Sequence, residues 1–349
     1  MMTGWVTWSN TLRLIDLLNE DFGQSVDDSV IQGVEISGLA CDSRRIEPGF
    51  LFAAIPGFNK DGRDYINDAL RRGASAIIAP FGTSISGGAI VLTVENTRLM
   101  FAQMASRFFE HQPATVVAVT GTNGKTSVVS FVRQIWENLG KKGASLGTMG
   151  IIAPGFEPGI GLTTPDSADL HKILADLWKQ GIEALAMEAS SHGLHQHRLD
   201  AVNISVAGFT NLSRDHLDYH GSVEEYFGAK KRLFCEILRD DGVAVLNADD
   251  EFYLPLRKVA RGRIISYGRK GEDIRLDGLS IQDSNQHLYL NVMGNQYEVT
   301  LPLSGAFQIE NALCALGIVL ADSVEIDKSV SALENLEVVP KKIRNNPIK

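Results

Sequence analysis

The pattern of hydrophobic and polar positions differs between the first and the later part of the chain. In both parts it is typical of α/β proteins. After about residue 115, short apolar runs with the composition of buried strands alternate with amphipathic stretches of helical length. Such alternation predicts a mainly parallel sheet with flanking helices. The predicted strands are 115–119, 182–188, 203–210, 243–247 and 263–267, and the predicted helices are 125–139, 167–180, 223–238, 309–322 and 328–335.

The segment before residue 97 has shorter elements and predicts a separate, small α/β domain. Apolar runs at 50–55 and 74–79 flank a helical stretch at 65–73, and a helix from about 97 to 111 leads to Pro113, the expected link. Gly294-Asn295 predicts a hairpin between runs 288–292 and 297–301. The resulting division is a first domain over 1–96, a second over 97–337, and a polar tail over 338–349 that has little to bury.

Composition narrows the class of protein. The 349 residues are 44% hydrophobic and 21% charged, with 33 Lys and Arg against 42 Asp and Glu, a net charge of −9. This acidic balance argues against nucleic-acid binding, and no apolar run approaches the roughly 20 residues that cross a bilayer. Three widely spaced cysteines and a start without a basic and apolar leader predict a cytoplasmic protein with reduced thiols. We expect a monomer.

The run TGTNGKTS at residues 120–127 stands between a predicted strand and a predicted helix. Backbone N–H groups in such a loop, with the helix N-terminus behind them, bind phosphate. Lys125 is placed to reach the terminal phosphates, and the Thr126 hydroxyl to meet a magnesium ion. The general P-loop pattern requires a glycine five residues before Gly124, where Val119 stands. The run therefore predicts a variant nucleotide loop, and a turn that binds nothing fits the strand–loop–helix context less well.

Two other predicted strands end in polar residues that could bind metal. Glu188 ends the strand 182–188, and a carboxylate at the carboxyl end of a parallel strand lies beside the ligand crevice, where magnesium would accept its oxygen. His216 follows the strand 203–210 and could ligate a second metal through a neutral ring nitrogen. From the residues alone, a helix-capping or solvated glutamate and a structural histidine remain open. The loop after Glu188 carries side chains that could hold an anionic substrate: Ser190, Gln196 and Arg198.

Lys230 shares the apolar stripe of a predicted helix. Ser222 and Glu225 form a capping box at its start, and the stripe consists of Val223, Phe227, Phe234 and Ile237. A lysine on a buried face either extends its amine to solvent or loses its charge. A neutral amine near a metal could react with carbon dioxide to give a carbamate, an anionic oxygen ligand. Periodicity leaves both interpretations open.

Taken together, these segments resemble the MurE group of the Mur ligase family, whose relatives include the folylpolyglutamate synthetases. The resemblance runs from about Val34 to about Val339 and rests on DSR…PGFLFAAIPG…DGR, TGTNGKTS, LTTPD, MEASSHGL, TNLSRDHLDYHG, the stretch from Tyr226 to Phe234, NADD at 247–250, and LSGAFQIENALCA. It implies a small UDP-binding N-terminal α/β domain and a P-loop-type central ATPase domain.

The resemblance also implies ATP and Mg²⁺ as cofactors and assigns roles to matching positions. Positions that match ATP contacts are Gly121, Thr122, Asn123, Gly124, Lys125, Thr126, Ser127, Asn247, Asp249 and Asn311. The implied catalytic residues are Lys125, Glu188, His216 and Lys230. The implied metal ligands are Thr126, Glu188, His216 and Lys230, the last as N6-carboxylysine. Positions that match contacts to UDP-N-acetylmuramoyl-L-alanyl-D-glutamate are Ser43, Thr163, Thr164, Ser190, Gln196 and Arg198.

The implied reaction is ATP-dependent amide ligation in peptidoglycan precursor synthesis. ATP would phosphorylate the γ-carboxylate of the muramoyl dipeptide, and the amine of meso-diaminopimelate, or of L-lysine, would attack the acyl phosphate. The segment SSHGLHQHRLD favours diaminopimelate. The family continues into a third domain that holds the amino acid, whereas this sequence stops at Lys349. Open alternatives are therefore a non-catalytic binder of the muramoyl nucleotide or ATP, a bare P-loop ATPase, and another ligase of the superfamily such as a folylpolyglutamate synthetase, against which the DSR segment argues.

Overall fold

The computed structural model consists of two sheets with helices on their faces. The described residues are 10–18, 31–57, 60–84, 90–156, 163–282, 285–322 and 325–338. Residues 1–9, on which the leader argument rests, and residues 339–349 of the predicted tail lie outside the described ranges.

A four-stranded parallel sheet forms the first part of the chain, which we call the N-terminal unit. Its strands pair in the order β3-β4-β5-β6, and a short antiparallel pair, β1 with β2, precedes it. The elements are β1 Leu12–Arg13, β2 Glu35–Ile36, β3 Gly38–Ala40, β4 Phe50–Ala53, α1 Ile66–Arg71, β5 Ala76–Pro80, β6 Ile90–Val94 and α2 Thr97–Phe109.

Alternation along the strands buries both faces of this small sheet. Leu51 of β4 belongs to the same core cluster as Phe101 of α2, whereas its neighbour Phe52 belongs to the cluster of Ile66 of α1. Successive side chains of a strand point to opposite faces, so the two helices cover opposite sides. Fully buried parallel strands explain the near-continuous apolar runs in this segment.

A ten-stranded mixed sheet forms the second part, which we call the central unit. Its order is β16-β15-β14-β13-β12-β11-β7-β10-β8-β9. The strands from β14 to β8 in this order run parallel, and antiparallel strands extend both edges, which confirms the predicted mainly parallel sheet. The strands are β7 Thr115–Thr120, β8 Gly143–Gly147, β9 Gly150–Ile152, β10 Ala184–Glu188, β11 Ile204–Phe209, β12 Leu238–Asn247, β13 Arg263–Gly268, β14 Ile274–Gln282, β15 Asn285–Val292 and β16 Asn295–Leu301.

Helices cover both faces of the central sheet. Helices α3 and α9 share one core cluster with the hairpin strands, and α4 and α7 share the cluster of the opposite face. The helices are α3 Lys125–Asn138, α4 Ser167–Lys179, α5 Ser191–His195, α6 Leu217–His220, α7 Val223–Arg232, α8 Tyr253–Arg257, α9 Ala306–Asp322 and α10 Ile326–Ser331. None of the helices in the described ranges has both the length and the hydropathy of a membrane span.

The predicted central elements are present, but several differ from the prediction. The strand predicted over 243–247 begins at Leu238, and the helix predicted over 328–335 is α-helical over Ile326–Ser331 and 3-10 helical over Ala332–Asn335. The helix predicted over 223–238 is α-helical to Arg232 and continues as one π-helical turn, Leu233–Ile237. The hairpin turns one residue earlier than predicted, because Met293 and Gly294 take positive φ (49° and 89°) and Asn295 already begins β16. The sequence pattern does not predict β8, β9 and β14.

The two units meet through α2 and α4. Ala168 of α4 belongs to the core cluster that contains Phe101 of α2, and Arg45 donates to the carboxylate of Asp169 at 2.9 and 2.6 Å. These contacts bring the N-terminal unit beside the loop that follows β10. The domain boundary between residues 96 and 97 stays a prediction.

Candidate active site

The glycine-rich run forms the turn between β7 and α3, as the sequence predicts. Gly121 and Gly124 take φ values of 147° and 88°, which residues other than glycine rarely adopt. A Cβ on Gly121 would lie 1.9 Å from Thr210 Oγ1, and one on Gly124 would lie 2.3 Å from Asn311 Oδ1. Both positions therefore require glycine for conformation and for space.

Lys125 is the first residue of α3, and its side chain lies over the loop. Its Nζ donates to the carbonyl oxygens of Gly121 at 2.7 Å and Thr122 at 2.9 Å. Burial lowers the pKa of Lys125, and the charges of Glu188 and Asp215 oppose that shift. The amine is thus held at the mouth of a loop whose geometry suits a phosphate.

Glu188 ends β10 and is 1% exposed. Its Oε1 accepts hydrogen bonds from Thr126 Oγ1 and from the Thr148 backbone N–H, both at 2.9 Å, and its Oε2 accepts from Thr148 Oγ1 at 3.3 Å. These three donors are neutral, although a buried carboxylate normally requires a cation. A carboxylate next to a threonine hydroxyl is a hard-oxygen donor set, so Thr126 and Glu188 fit Mg²⁺.

His216 lies at the start of α6 and lines a cavity that Glu188 also lines. Its φ is 52°, its side chain is 50% exposed, and its Nε2 lies 3.6 Å from Asp215 Oδ2. Its ring centroid lies 5.1 Å from that of His192. The exposed ring nitrogen is therefore available to a ligand in the cavity.

Lys230 is 1% exposed on α7, so of the two interpretations that periodicity leaves open, the structure shows the buried one. Its Nζ donates to the Gly121 carbonyl at 2.8 Å and lies 4.4 Å from the centroid of the Tyr226 ring. Burial, and then the charge of Lys125, place the pKa of Lys230 well below its usual value. The amine therefore does not extend to solvent, and burial stabilises its neutral form relative to that of an exposed lysine.

Within the described ranges, no three or more His, Cys, Asp or Glu side chains are arranged to hold a metal ion. Glu188, His216 and Lys230 nevertheless line the same cavity. A metal at this place would thus draw on threonine hydroxyls, on phosphate oxygens or on a modified Lys230 in addition to Glu188.

The cavity has a volume of about 520 Å³, and we call it the central cleft. It unites most of the predicted site residues, namely Thr122, Asn123, Gly124, Lys125, Thr126, Thr163, Thr164, Glu188, Ser190, Gln196, Arg198, His216 and Lys230. Additional lining side chains that the sequence argument missed are Thr148, Ser191, His192 and Tyr226.

The predicted substrate residues in the cleft form a hydrogen-bonded chain. Arg198 donates to the Thr164 carbonyl at 2.5 Å and to Gln196 Oε1 at 2.7 Å. The Thr164 hydroxyl lies 3.0 Å from Ser190 Oγ and 3.1 Å from the Glu188 carbonyl oxygen. The guanidinium and the catalytic carboxylate candidate are thereby held in one framework.

The other predicted site residues lie outside the lining of the cleft. Asn247 donates to the Thr210 carbonyl at 2.8 Å, and Asp249 accepts from the backbone N–H groups of Arg269 and Lys270 at 2.7 and 3.0 Å. Gly121 and Ser127 belong to the loop and to the first turn of α3. Asn311 touches the loop at Gly124, as described above. Ser43, 5% exposed, lies in the N-terminal unit on a 3-10 turn after β3.

Of the lining residues that were not predicted, Tyr226 could have been found from the sequence and Thr148 could not. Tyr226 stands four residues before Lys230 and so shares its helical face; its hydroxyl lies 3.2 Å from Thr122 Oγ1. Thr148 follows β8, a strand that the sequence pattern does not predict, so no local signal marks it.

Comparison with family models places most of the chain in known domains. The model of the Mur ligase middle domain matches residues 119–319, and the model of the catalytic domain of the Mur ligase family matches residues 35–109. The first match contains the loop, Glu188, His216 and Lys230.

Individual relatives agree with the family models. The UDP-N-acetylmuramoyl-L-alanyl-D-glutamate--2,6-diaminopimelate ligase of Rhizobium meliloti is 46% identical over 307 residues, 87% of this chain and 63% of that protein. The ligase of the same name from Caulobacter vibrioides is 44% identical over 338 residues, 94% of this chain and 68% of that protein. A solved structure of a ligase with this name has a TM-score of 0.82 and 29% identity, covering 92% of this chain and 67% of that chain. The chain spans about two thirds of the length of the curated relatives it matches.

Proposed function

The chain belongs to the Mur ligase family, and from this premise we propose that it is the substrate- and ATP-binding part of a MurE-type amide ligase. The proposed reaction joins meso-diaminopimelate to UDP-N-acetylmuramoyl-L-alanyl-D-glutamate at the expense of ATP. We further propose that the protein acts in the cytoplasm as a monomer.

One observation carries this proposal: the phosphate-type loop, the buried Glu188 and the Thr164–Arg198 framework line a single cleft. A cleft with these three components can hold a nucleotide phosphate, a divalent cation and an anionic acceptor side by side. Phosphoryl transfer depends mainly on such positioning and on charge stabilisation.

Different residues of the cleft would bind different parts of the substrates. Lys125 and the loop amides would hold the terminal phosphates of ATP, and Arg198 with Ser190 would orient the dipeptide. Thr126, Glu188, His216 and Lys230 as N6-carboxylysine would hold Mg²⁺, which when bound offsets negative charge on the transferring phosphoryl group. We assign Asn247, Asp249 and Asn311 to the nucleotide side and Ser43 to the UDP side of the site.

The proposed reaction has two balanced steps. An oxygen of the γ-carboxylate attacks the γ-phosphorus of ATP, and the bond to the β-phosphate oxygen breaks to release ADP. The amine of diaminopimelate then attacks the acyl carbon, inorganic phosphate leaves, and the amine loses a proton. Diaminopimelate is favoured over L-lysine because the relatives at 46% and 44% identity carry it in their names.

An assay of the purified protein tests the proposal. ATP, Mg²⁺, the muramoyl dipeptide nucleotide and diaminopimelate are mixed, and ADP is followed together with the mass of the nucleotide product. ADP formation that requires the muramoyl nucleotide, with a mass gain of one diaminopimelate, supports a ligase. Binding of the nucleotide without ADP would identify a binding protein, and ADP formation without the nucleotide would identify a bare ATPase.

Gly147 offers a test of the Glu188 position that removes no polar group from the protein. A Cβ on Gly147 would lie 2.1 Å from Glu188 Oε1, so Gly147→Ala must displace the carboxylate. Disturbing the environment of a metal ligand typically costs about 10–100-fold in metal affinity. We therefore expect the affinity for Mg²⁺ to fall by about that factor. Titration calorimetry of ATP binding at several magnesium concentrations measures this affinity.

Gly228→Ala is the matched control for Gly147→Ala. Gly228 lies within α7, and a Cβ there meets nothing within 4 Å. This substitution should raise the free energy of unfolding by about 0.5–1 kcal/mol and leave the magnesium dependence unchanged. Equal magnesium affinity in both alanine variants would show that the observed Glu188 position is not needed for the ion.

A further inference from the structure

A second cavity, of about 210 Å³, lies between the two units. The N-terminal unit contributes Cys41, Ile55 and Arg98 to its lining, and the central unit contributes Asp166, Gln196 and Arg198. Gln196 and Arg198 also line the central cleft. The two cavities are therefore neighbours that share these side chains, and we call the second one the interunit cavity.

Two arginines from different units face this cavity. Arg98, in the first turn of α2, donates to the Pro56 carbonyl at 2.7 Å, and Arg198 donates to the Thr164 carbonyl and to Gln196 Oε1. These acceptors are neutral. Burial, with the nearby charge of Arg198, lowers the pKa of Arg98, whereas the Tyr219 hydroxyl acts in the opposite direction. The charge of Arg198 thus acts on Arg98, and both guanidinium-bearing residues line the same cavity.

Asp166, whose carboxylate lines the cavity, pairs with a third arginine, Arg45. Asp166 Oδ2 lies 3.6 Å from Arg45, the same side chain that pairs with Asp169. Asp166 also caps α4, because its Oδ1 accepts from the backbone N–H groups of Ala168 and Asp169 at 3.0 and 3.1 Å. Its charge is therefore engaged away from the two cavity arginines.

We propose that Arg98 and Arg198 together bind one oxyanionic group of the muramoyl nucleotide in the interunit cavity. A guanidinium presents several N–H donors in a planar fork that matches phosphate and carboxylate oxygens. The group is either the diphosphate or a carboxylate of the peptide, and both chemistries suit two arginines. Arg98 then makes the N-terminal unit a direct part of the receptor. This inference rests on the proposed function, which supplies the ligand.

Titration calorimetry with three ligands tests the inference on the full chain. The ligands are UDP, UDP-N-acetylmuramate and UDP-N-acetylmuramoyl-L-alanyl-D-glutamate, and the variants are Arg98→Met and Arg98→Lys. Losing hydrogen bonds to a charged group costs on the order of tenfold or more in affinity. We expect Arg98→Met to lose at least that factor and Arg98→Lys, which keeps the charge but not the fork, to lose less.

Arg107→Met is the matched control. Arg107 lies on the same helix and also donates to a backbone carbonyl, that of Leu17 at 2.8 Å, away from the cavity. Thermal unfolding of all variants, together with their affinity for ATP, reports whether each protein remains folded.

The ligand series separates the sources of the oxyanion. A loss that already appears with UDP identifies the diphosphate, and a loss confined to the dipeptide-bearing ligand identifies a peptide carboxylate. Wild-type binding of the full nucleotide with no greater loss in Arg98→Met than in Arg107→Met overturns the inference and leaves the proposed function intact. Failure of the wild-type chain to bind any of the three ligands overturns both.

Discussion

Replacing Lys125 by methionine should reduce ADP formation by about 10²–10³-fold, the effect typical of removing a group that stabilises charge in a transition state. The side chain starts at the first residue of α3 and carries the amine that lies over the loop. Methionine keeps most of the side-chain volume but cannot neutralise phosphate oxygens. Steady-state ADP release and ATP titration calorimetry, measured on the same preparation, provide the test.

Stability distinguishes this loss from misfolding. Burial lowers the pKa of Lys125, so folding does not depend on its charged form. The methionine variant should therefore unfold at a temperature no lower than that of the wild type. Lys258→Met, an exposed position just after α8, serves as the control and should retain ADP formation. Substantial ADP release by Lys125→Met would exclude the assigned role of this lysine.

Replacing Lys230 by methionine should abolish ADP formation and at the same time stabilise the protein. The amine is 1% exposed and its pKa is far below the usual value because of burial. A buried donor that lacks full compensation costs about 1–3 kcal/mol, so the apolar variant should have a higher free energy of unfolding at pH 7. Opposite changes of activity and stability indicate a functional group rather than a structural one.

The pH dependence of this stability gain has a defined sign. The pKa of Lys230 is lowered in the folded state, whereas in the unfolded chain the lysine amine has a pKa of about 10.4. Between these two values the unfolded state carries more protons, so wild-type stability rises with pH in that window. The advantage of Lys230→Met in urea denaturation should therefore be larger at pH 7 than at pH 10.

Carbon dioxide provides a second readout for Lys230. A neutral amine combines with carbon dioxide to form a carbamate and release one proton. ADP formation by the wild type should fall in carbon-dioxide-free buffer and return when bicarbonate is added. Lys231→Met, at the next position of α7, should respond to bicarbonate like the wild type. A wild type indifferent to bicarbonate would count against N6-carboxylysine at this position.

Local sequence was sufficient for the features that one element determines by itself. The position of the loop, Glu188 at the last residue of a strand and the place of Lys230 on the apolar stripe of its helix all follow from periodicity within short segments. The hairpin was recognisable from its glycine, although the turn lies one residue earlier than predicted.

The strand β8 could not be predicted because its sequence, GASLG, has the composition of a loop. The strand exists because of its surroundings: it pairs with β10 in the sheet, and Gly143 leaves space for Trp136, whose ring would lie 3.0 Å from a Cβ. Tertiary context therefore overrides local propensity. Thr148, which bonds Glu188, was missed for the same reason.

Contacts between the units were equally invisible to local patterns. Arg45 and Asp169 are 124 residues apart in sequence, and Arg98 occupies an ordinary position in the first turn of a helix. Their significance arises from the packing of α2 against α4, which no single segment specifies. The interunit cavity is consequently a result of the folded structure alone.

Transfer of an oxygen isotope tests the central claim most directly. The muramoyl dipeptide nucleotide is labelled with ¹⁸O in the γ-carboxylate of its glutamate and incubated with the protein, ATP, Mg²⁺ and diaminopimelate. Formation and aminolysis of an acyl phosphate move one labelled oxygen into inorganic phosphate, which mass spectrometry detects. The proposed function predicts labelled phosphate in step with ADP. ADP accompanied by unlabelled phosphate would mean that water attacks ATP, and would contradict the assignment of this cleft to amide ligation.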